Sequence, residues 1–176
     1  AGLAPGRSVI TGDESLRSRP MADLIACLVG LGVSAVSVHG TGTAPIEIMG
    51  TGSIRGGEAK IPGSISSQFI SSLLIPSPYF DEGLRLEVQG EFKSKPYVDL
   101  TVKVMGDFGI VPSVDGNMFA VEAGRAYSPR AYVVDGDYSS ASFIMAAAAI
   151  TRSKVRVGGL RPGSLQADEA FSSILG

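Results

Sequence analysis

The sequence predicts an α/β fold made of repeated units, each with the order strand, helix, strand, helix, strand, strand. Three observations predict it. Short runs typical of strands, which are apolar or alternate between apolar and polar residues, are followed by segments whose apolar residues have helical spacing. A basic-Pro-x-x-Asp-Leu sequence begins at Arg19 and again at Lys95, 76 residues later. The stretch "GSISS" from Gly63 also returns as "GDYSS" from Gly136, after 73 residues.

The first round of elements lies in residues 7–49. Residues 7–11, "RSVIT", have the composition of a strand, and Pro20 is placed to open a helix because its missing N–H has no partner in a first helical turn. Residues 34–38 and 46–49 predict a strand pair across a Gly- and Thr-rich loop. The helix has a stripe at helical spacing: Met21, Leu24, Ile25, Leu28 and Leu31.

The second round repeats this order and is complete. It has a short strand at "AKIP", a helix over residues 66–75, and an alternating strand over residues 84–88. Pro96 opens the next helix, and a hairpin then turns at the dipeptide of Asp115 and Gly116. One face of the Pro96 helix is predicted to hold Tyr97, Leu100, Val104 and Phe108.

A third round begins at "AYVVDG". It predicts a helix over residues 139–150, a strand at "KVRV" (residues 154–157), and a last helix that ends at Gly176. The unit is about 70 residues long. The chain is therefore expected to contain the end of one unit, one whole unit and the start of a third.

Composition excludes several classes of protein. The 176 residues are 44% apolar and carry a net charge of −2, so bulk attraction to nucleic acid or to an acidic membrane surface is not expected. One cysteine excludes an internal disulfide framework and favours a reducing compartment. No apolar run reaches the roughly 18 residues of a membrane span. We expect a soluble cytoplasmic protein, and the absence of an initiator Met suggests a processed chain or a fragment.

The serine pairs have two interpretations. A serine at a helix start can simply cap the helix, which is the favoured interpretation for Ser139 and Ser140. Free N–H groups and hydroxyls at a helix start can also bind an anion such as phosphate. In "SSQF", Gln68 favours the second interpretation, because its amide adds donors that a cap does not need.

Other polar residues stand at equivalent helix starts. Arg19 precedes Pro20, and Ser94 and Lys95 precede Pro96. Arginine presents a planar fork suited to carboxylate or phosphate. If the repeated units stack about a pseudo-threefold axis, these helix starts converge and form a pocket for a small, anionic, hydroxylated molecule.

Several other residues could suggest a metal, nucleotide or thiol site, but the sequence does not favour such a site for any of them. His39 is expected in a solvated loop, and Cys27 is expected to be a buried, unreactive thiol. The glycines of "GTGTAP" precede a strand rather than a helix, which argues against a nucleotide-binding loop. Asp135 and Asp137 lack a third partner for a cation.

Four segments together resemble one enzyme family in order along nearly the whole chain: "TGDESLRSRPM", "PGSISSQF", "SKPYVDL" and "DGDYSSASF". The chain is similar to the 3-phosphoshikimate 1-carboxyvinyltransferases, also called 5-enolpyruvylshikimate-3-phosphate synthases. The pairing of "SSQF" with "SKPY" about 28 residues later is specific to them. The related UDP-N-acetylglucosamine carboxyvinyltransferases share the fold but lack those two motifs.

The resemblance implies the inside-out α/β barrel of enolpyruvyl transferases, incomplete here at both ends. Two domains of three units each enclose the substrate cleft. Residues 1–133 would be most of the first domain, and residues 134–176 would begin the second after a crossover near Val134. The implied reaction moves the enolpyruvyl group of phosphoenolpyruvate to the 5-hydroxyl of shikimate 3-phosphate, in aromatic amino acid biosynthesis, without metal or organic cofactor. The full-length protein is expected to be a monomer.

Site residues carry over by motif. The resemblance implies that Arg19 and Gln68 contact phosphoenolpyruvate and that Asp137 faces the cleft near the hinge. It implies contacts to shikimate 3-phosphate from Ser66, Ser67, Gln68, Ser94 and Tyr97. No catalytic residue is assigned, because the acid and base groups of the family have no counterpart here, and the chain alone is expected to lack turnover. A UDP-sugar enzyme and a non-catalytic anion-binding module remain the alternatives.

Overall fold

The structure, a computed structural model, describes residues 1–175. The first 121 of these form two β-sheets with helices packed against them. The α/β class predicted from the sequence is confirmed. One complete unit with the predicted order runs from β4 to β7, and the shorter set of elements before it contributes the first sheet.

The first sheet is antiparallel, with the strand order β1-β3-β2. Its residues alternate between buried and exposed along β2 and β3, which is how a strand presents one face to a helix. The buried side chains Ile46 and Ile48 pack with Cys27 in the core. The elements are β1 (Gly6–Ile10), α1 (Glu14–Ser18), α2 (Ala22–Gly30), β2 (Ser34–Ser37) and β3 (Ile46–Gly50).

The start of α2 differs from the prediction. Pro20 lies outside the helix, Met21 is its N-cap and Ala22 is its first residue. The backbone N–H of Met21 donates to the carbonyl oxygen of Gly42 at 2.7 Å, and this bond holds the chain outside helical geometry for one more residue. The preceding helix α1 was not predicted. Asp13 caps it by accepting from the N–H of Leu16 at 2.9 Å.

The second sheet is mixed, with the order β4-β5-β7-β6. Its first pair is parallel, and α3 supplies the crossover that a parallel pair needs. The other two pairs are antiparallel. The elements are β4 (Gly57–Pro62), α3 (Ser67–Leu74), a 3₁₀ turn (Ser77–Tyr79), β5 (Leu84–Gln89), α4 (Lys95–Asp107), β6 (Ser113–Asp115) and β7 (Met118–Val121).

The hairpin of β6 and β7 is confirmed, with its turn one residue further on than predicted. Asp115 pairs with Met118, so Gly116 and Asn117 form the two-residue connection. Gly116 has a φ of +59°, which glycine adopts without the steric cost that other residues meet.

The buried face of α4 is not the stripe that the spacing suggested. Val98 and Met105 are its buried residues. Leu100, Val104 and Phe108 share a face as predicted, but they border an open apolar groove together with Ile75 and Tyr127. The core of the second sheet takes Ile70, Leu73 and Leu74 from α3 and Ile61, Leu84, Leu86, Val88, Phe119 and Val121 from the strands.

The third round is less regular than predicted. The helix is confirmed as α5 (Tyr138–Thr151), and it is followed by a 3₁₀ turn (Ala167–Glu169) and α6 (Ala170–Leu175). The predicted strand at residues 154–157 is wrong. Within residues 1–175 those residues pair with no strand, and Val155 is exposed, so neither a partner strand nor a buried face is present to hold a strand there. The predicted end of the last helix, Gly176, lies outside the described residues.

None of the helices within residues 1–175 combines the length and apolarity needed to cross a bilayer.

Candidate functional site

An open cavity of about 690 Å³ lies over the start of α3 and the first half of α4. It brings together most of the residues predicted for the site, although they come from three separate parts of the chain. Ser94 is the predicted ligand that does not line it. The lining residues are Arg19, Ser66, Ser67, Gln68, Ser71, Ser72, Ile75, Tyr97, Leu100 and Thr101.

The start of α3 supplies the uncharged donors. Ser66 is the N-cap, with an extended backbone at φ −61° and ψ 130°, and its hydroxyl oxygen accepts from the N–H of Gln68 at 3.3 Å. Ser67 is the first helical residue. Within residues 1–175 neither the Ser67 hydroxyl nor the Gln68 amide group bonds to another side chain, so both are available to a ligand. The helix start adds its own partial positive charge.

Arg19 supplies the only charged side chain in the lining. It is the C-cap residue of α1, and its backbone is extended, with ψ at 129°. Pro20 causes this, because a residue that precedes proline is sterically driven out of helical geometry. The helix therefore ends where the guanidinium can reach the cavity that the α3 start also borders.

At the wall of the cavity, α3 and α4 are joined by hydroxyl groups. The Ser71 and Thr101 hydroxyl oxygens lie 2.8 Å apart, and the Thr101 hydroxyl also donates to the carbonyl oxygen of Tyr97 at 3.0 Å. This network fixes the two helices side by side, which sets the spacing between the Gln68 end and the Tyr97 end of the cavity.

Ser94 lies at the start of α4, as predicted, but away from the cavity wall. It is the N-cap residue, yet its side chain accepts no capping hydrogen bond. Lys95, which follows it, is paired within the helix with Asp99 at 2.7 Å. The Ser94 hydroxyl is therefore not engaged in capping, while the neighbouring positive charge is already balanced.

Tyr97 has a hydrogen-bond partner that was not predicted from the sequence. Its hydroxyl donates to the Oδ2 atom of Asp168, 71 residues further along the chain. This hydrogen bond, together with partial burial and the charge of Asp168, raises the pKa of the Tyr97 phenol, and the charge of Asp137 adds a smaller effect. Sequence spacing carried no signal for a contact between α4 and the C-terminal 3₁₀ turn.

Asp137, not Ser139, is the N-cap of α5, so the predicted serine cap was wrong in detail. The Asp137 carboxylate accepts from the backbone N–H groups of Ser139 at 3.0 Å and Ser140 at 3.2 Å. Both serine hydroxyls also donate to it, at 2.8 and 2.6 Å. The Ser140 and Ser139 hydroxyls are the main cause of a lowered pKa for the Asp137 carboxyl. Asp137 therefore caps the helix with hydrogen bonds from the backbone N–H and the hydroxyl of both following serines.

Other clefts have less suitable linings. One of about 460 Å³ lies between α2 and the edge of β4 and β5, but both of its cationic side chains are paired, Lys60 with Glu87 at 2.9 Å and Arg85 with Glu58 at 3.9 Å. Residues 1–175 include no group of three or more His, Cys, Asp or Glu side chains that could hold a metal ion. His39 is exposed in its loop, and burial raises the pKa of Cys27 to about 11.

Comparison with known proteins gives one consistent result. The family model for EPSP synthase (3-phosphoshikimate 1-carboxyvinyltransferase) matches residues 1–176. Proteins named 3-phosphoshikimate 1-carboxyvinyltransferase match it from Methanococcoides burtonii, at 44% identity over 99% of this chain, and Methanocella arvoryzae, at 46% over 97%. The chain spans 41% and 40% of the lengths of these two relatives.

A solved structure agrees. EPSP synthase from Acinetobacter baumannii superposes with a TM-score of 0.66 at 28% identity, over 82% of this chain and 31% of that one. The family model covers the whole chain, and the same fold is found in that solved enzyme. The chain therefore belongs to the EPSP synthase (3-phosphoshikimate 1-carboxyvinyltransferase) family.

Proposed function

We propose that this chain is part of an enzyme that transfers the enolpyruvyl group of phosphoenolpyruvate to the 5-hydroxyl of shikimate 3-phosphate and releases phosphate. The observation that carries the proposal is the convergence of Arg19, the Ser66–Gln68 helix start and Tyr97 on one open cavity. Both substrates are anions, and a cationic side chain beside a helix start is a suitable receptor for such groups.

The proposed roles follow the chemistry of each side chain. Ser66, Ser67 and Gln68 bind the phosphate and ring of shikimate 3-phosphate, and Tyr97 lines the ring site. Arg19 and Gln68 contact phosphoenolpyruvate. Preorganised donors of this kind hold two reactants in register and stabilise negative charge that shifts during the reaction.

Two further roles rest on position. We assign Ser94 to the shikimate phosphate, supported by a hydroxyl that is not engaged in capping. We place Asp137 at the edge of the cleft near the hinge, supported by the influence of its charge on Tyr97. Residues 1–133 would then belong to one domain of the enzyme, and residues 134–176 would begin the other.

The wider setting is also part of the proposal. We place the protein in the cytoplasm, acting on two small anionic substrates of aromatic amino acid biosynthesis, and the full-length protein as a monomer. Support comes from the single, buried cysteine and from the net charge of −2, which offers no general attraction to nucleic acid.

Calorimetry of the 176-residue chain with shikimate 3-phosphate tests the proposal. Binding is expected, and Gln68→Ala is expected to weaken it by roughly 10- to 100-fold, the equivalent of about 1.5–3 kcal/mol for a hydrogen bond to a charged group. Gln89→Ala is the matched control, because Gln89 is exposed on the second sheet and outside the cavity. Arg17→Ala plays the same part for Arg19→Ala, since Arg17 lies on α1 outside the lining.

Other outcomes have clear meanings. Affinity for shikimate 3-phosphate no greater than that for inorganic phosphate would favour a non-catalytic anion-binding module. Tighter binding of UDP-N-acetylglucosamine would favour the related UDP-sugar enzymes. An assay of phosphate release from the two substrates is expected to detect no turnover by this chain, because the cavity lining holds no acid and base pair for proton transfer.

A further inference from the structure

The contact between Tyr97 and Asp168 carries an inference that rests on the proposed function. We propose that Asp168 is a specificity-determining residue, which makes the Tyr97 oxygen an acceptor and so selects a hydroxyl group at that end of the cavity. Asp168 lies outside the cavity lining and would act through Tyr97.

The hydroxyl proton of Tyr97 is engaged by Asp168. A carboxylate can only accept hydrogen bonds, so the phenol must donate its single proton to Asp168. With that proton engaged, the Tyr97 oxygen can only accept from a group inside the cavity. It can pair with a hydroxyl or an N–H group, and it cannot pair with a phosphate or carboxylate oxygen.

Two hydrogen bonds of the neighbouring Gln166 side chain fix the position of Asp168. The side-chain amide of Gln166 donates to the carbonyl oxygen of Gly136 at 2.9 Å and accepts from the N–H of Tyr138 at 2.8 Å. These bonds dock the 3₁₀ turn that carries Asp168 onto the start of α5. The carboxylate of Asp137 is occupied by the serines of its own helix, so it does not compete for the phenol.

The two ends of the cavity differ in polarity. At one end, Arg19 and the start of α3 offer donors and positive charge, which suit an anionic group. At the other end, the Tyr97 oxygen itself offers an acceptor beside the negative charge of Asp168, which favours a hydroxyl over an anion at that atom. A ligand with a phosphate on one side and a hydroxyl on the other is therefore bound in one orientation.

Binding of two probes to the 176-residue chain tests this inference. Asp168→Ala frees the phenol proton and removes a negative charge. It is expected to weaken the binding of shikimate 3-phosphate by about fivefold or more. The binding of inorganic phosphate is expected to stay unchanged or to become up to about threefold tighter. Tyr97→Phe is expected to weaken the binding of shikimate 3-phosphate and to leave the binding of inorganic phosphate unchanged. Asp115→Ala, which removes the same charge at the β6–β7 hairpin, is expected to change neither. A loss shared equally by both probes, or no change in either, overturns the inference.

A second measurement does not depend on substrate binding. The ultraviolet absorbance titration of Tyr97, obtained as the difference between the parent chain and Tyr97→Phe, is expected to move to lower pH in Asp168→Ala and to return towards the parent in Asp168→Glu. An unchanged midpoint in Asp168→Ala overturns the inference. If the parent chain fails to bind shikimate 3-phosphate, the proposed function fails, and this titration still decides the role of Asp168.

Discussion

The hydroxyl oxygens of Ser71 and Thr101 lie 2.8 Å apart and join α3 to α4 at the wall of the candidate site. Both side chains are partly buried, and each helix carries, at its own start, residues that line the candidate cavity. A small relative movement of the two helices would therefore change the distance between Gln68 and Tyr97. This one hydrogen bond connects the packing of the second sheet's helices to the geometry of the cavity.

Removing one partner of this pair should destabilise the fold modestly. Ser71→Ala is expected to lower the free energy of unfolding by about 0.5–1.5 kcal/mol, because the Thr101 hydroxyl loses a partner in a partly buried place. Urea denaturation measures this. Ser72→Ala is the control, since Ser72 is exposed and bonds only to the carbonyl oxygen of Phe69 in its own helix. Equal effects of the two substitutions would show that the bond between the helices adds no more to the free energy of unfolding than a bond within one helix.

The core between α3 and the second sheet should tolerate changes of shape better than loss of volume. Leu73 is completely buried, so Leu73→Ala is expected to cost about 2–5 kcal/mol, whereas Leu73→Met should cost less than about 1.5 kcal/mol. The measurement is again the urea midpoint. Val111→Ala, at a position that is 81% exposed, serves as the reference. A cost for Leu73→Ala near that of Val111→Ala would contradict the assigned core.

Two glycines with left-handed backbones should respond differently to alanine. A Cβ at Gly83, with φ at +68°, would lie 2.3 Å from the carbonyl oxygen of Val121, whereas one at Gly90, with φ at +73°, would meet no atom within 4 Å. Gly90→Ala is expected to cost about 1–2 kcal/mol for the backbone conformation alone. Gly83→Ala should cost clearly more, because β5 and β7 must also move apart. A lower thermal midpoint for Gly90→Ala than for Gly83→Ala would refute this ordering.

The charge on Asp137 should make the stability of α5 depend on pH. Its folded pKa is lowered, so its contribution is present above the ordinary aspartate pKa of 3.8 and is lost as the pH falls through the folded value. Asp137→Ala is expected to melt earlier than the parent chain at pH 7, with the difference shrinking towards pH 3. Asp137→Asn keeps the capping geometry without the charge, so its melting temperature at pH 7 should lie between those of the parent chain and Asp137→Ala. Circular dichroism at both pH values measures this, and a difference that grows on acidification would have the wrong sign.

Cys27 should be protected from thiol reagents in the folded chain. Burial raises its pKa from 9.0 to about 11, which lowers the thiolate population at pH 8 by roughly 100-fold, and only 6% of the residue is exposed to a reagent. The rate of reaction with a disulfide reagent is expected to rise by at least that factor in concentrated urea. A fast reaction of the folded chain would place the thiol at the surface.

The sequence predicted the parts of this fold that depend on local pattern. The alternation in residues 84–88, the glycine-containing turn after Asp115 and the repeated serine motif each indicated the right element, because their signals lie within a few neighbouring residues. The strand predicted at residues 154–157 failed because an apolar alternation forms a strand only where another strand can pair with it.

The candidate site was predictable to a similar extent. Arg19, Gln68 and Tyr97 were identified from motifs and do share one cavity. Asp168 could not be identified in this way, because its contact with Tyr97 depends on how the turn after α5 docks onto α4. Local spacing also could not predict which side of α4 is buried, because apolar residues occur on more than one of its faces. Tertiary packing buries Val98 and Met105.

All four strands of the second sheet come from one uninterrupted stretch, residues 57–121. During synthesis, every partner that these strands require has emerged once Val121 has left the ribosome. The parallel pairing of β4 with β5 waits only for α3, not for any distant segment. The strand pairing of the second sheet can thus be completed as soon as Val121 has been synthesised, while its core still shares side chains with the first sheet, such as Ile48.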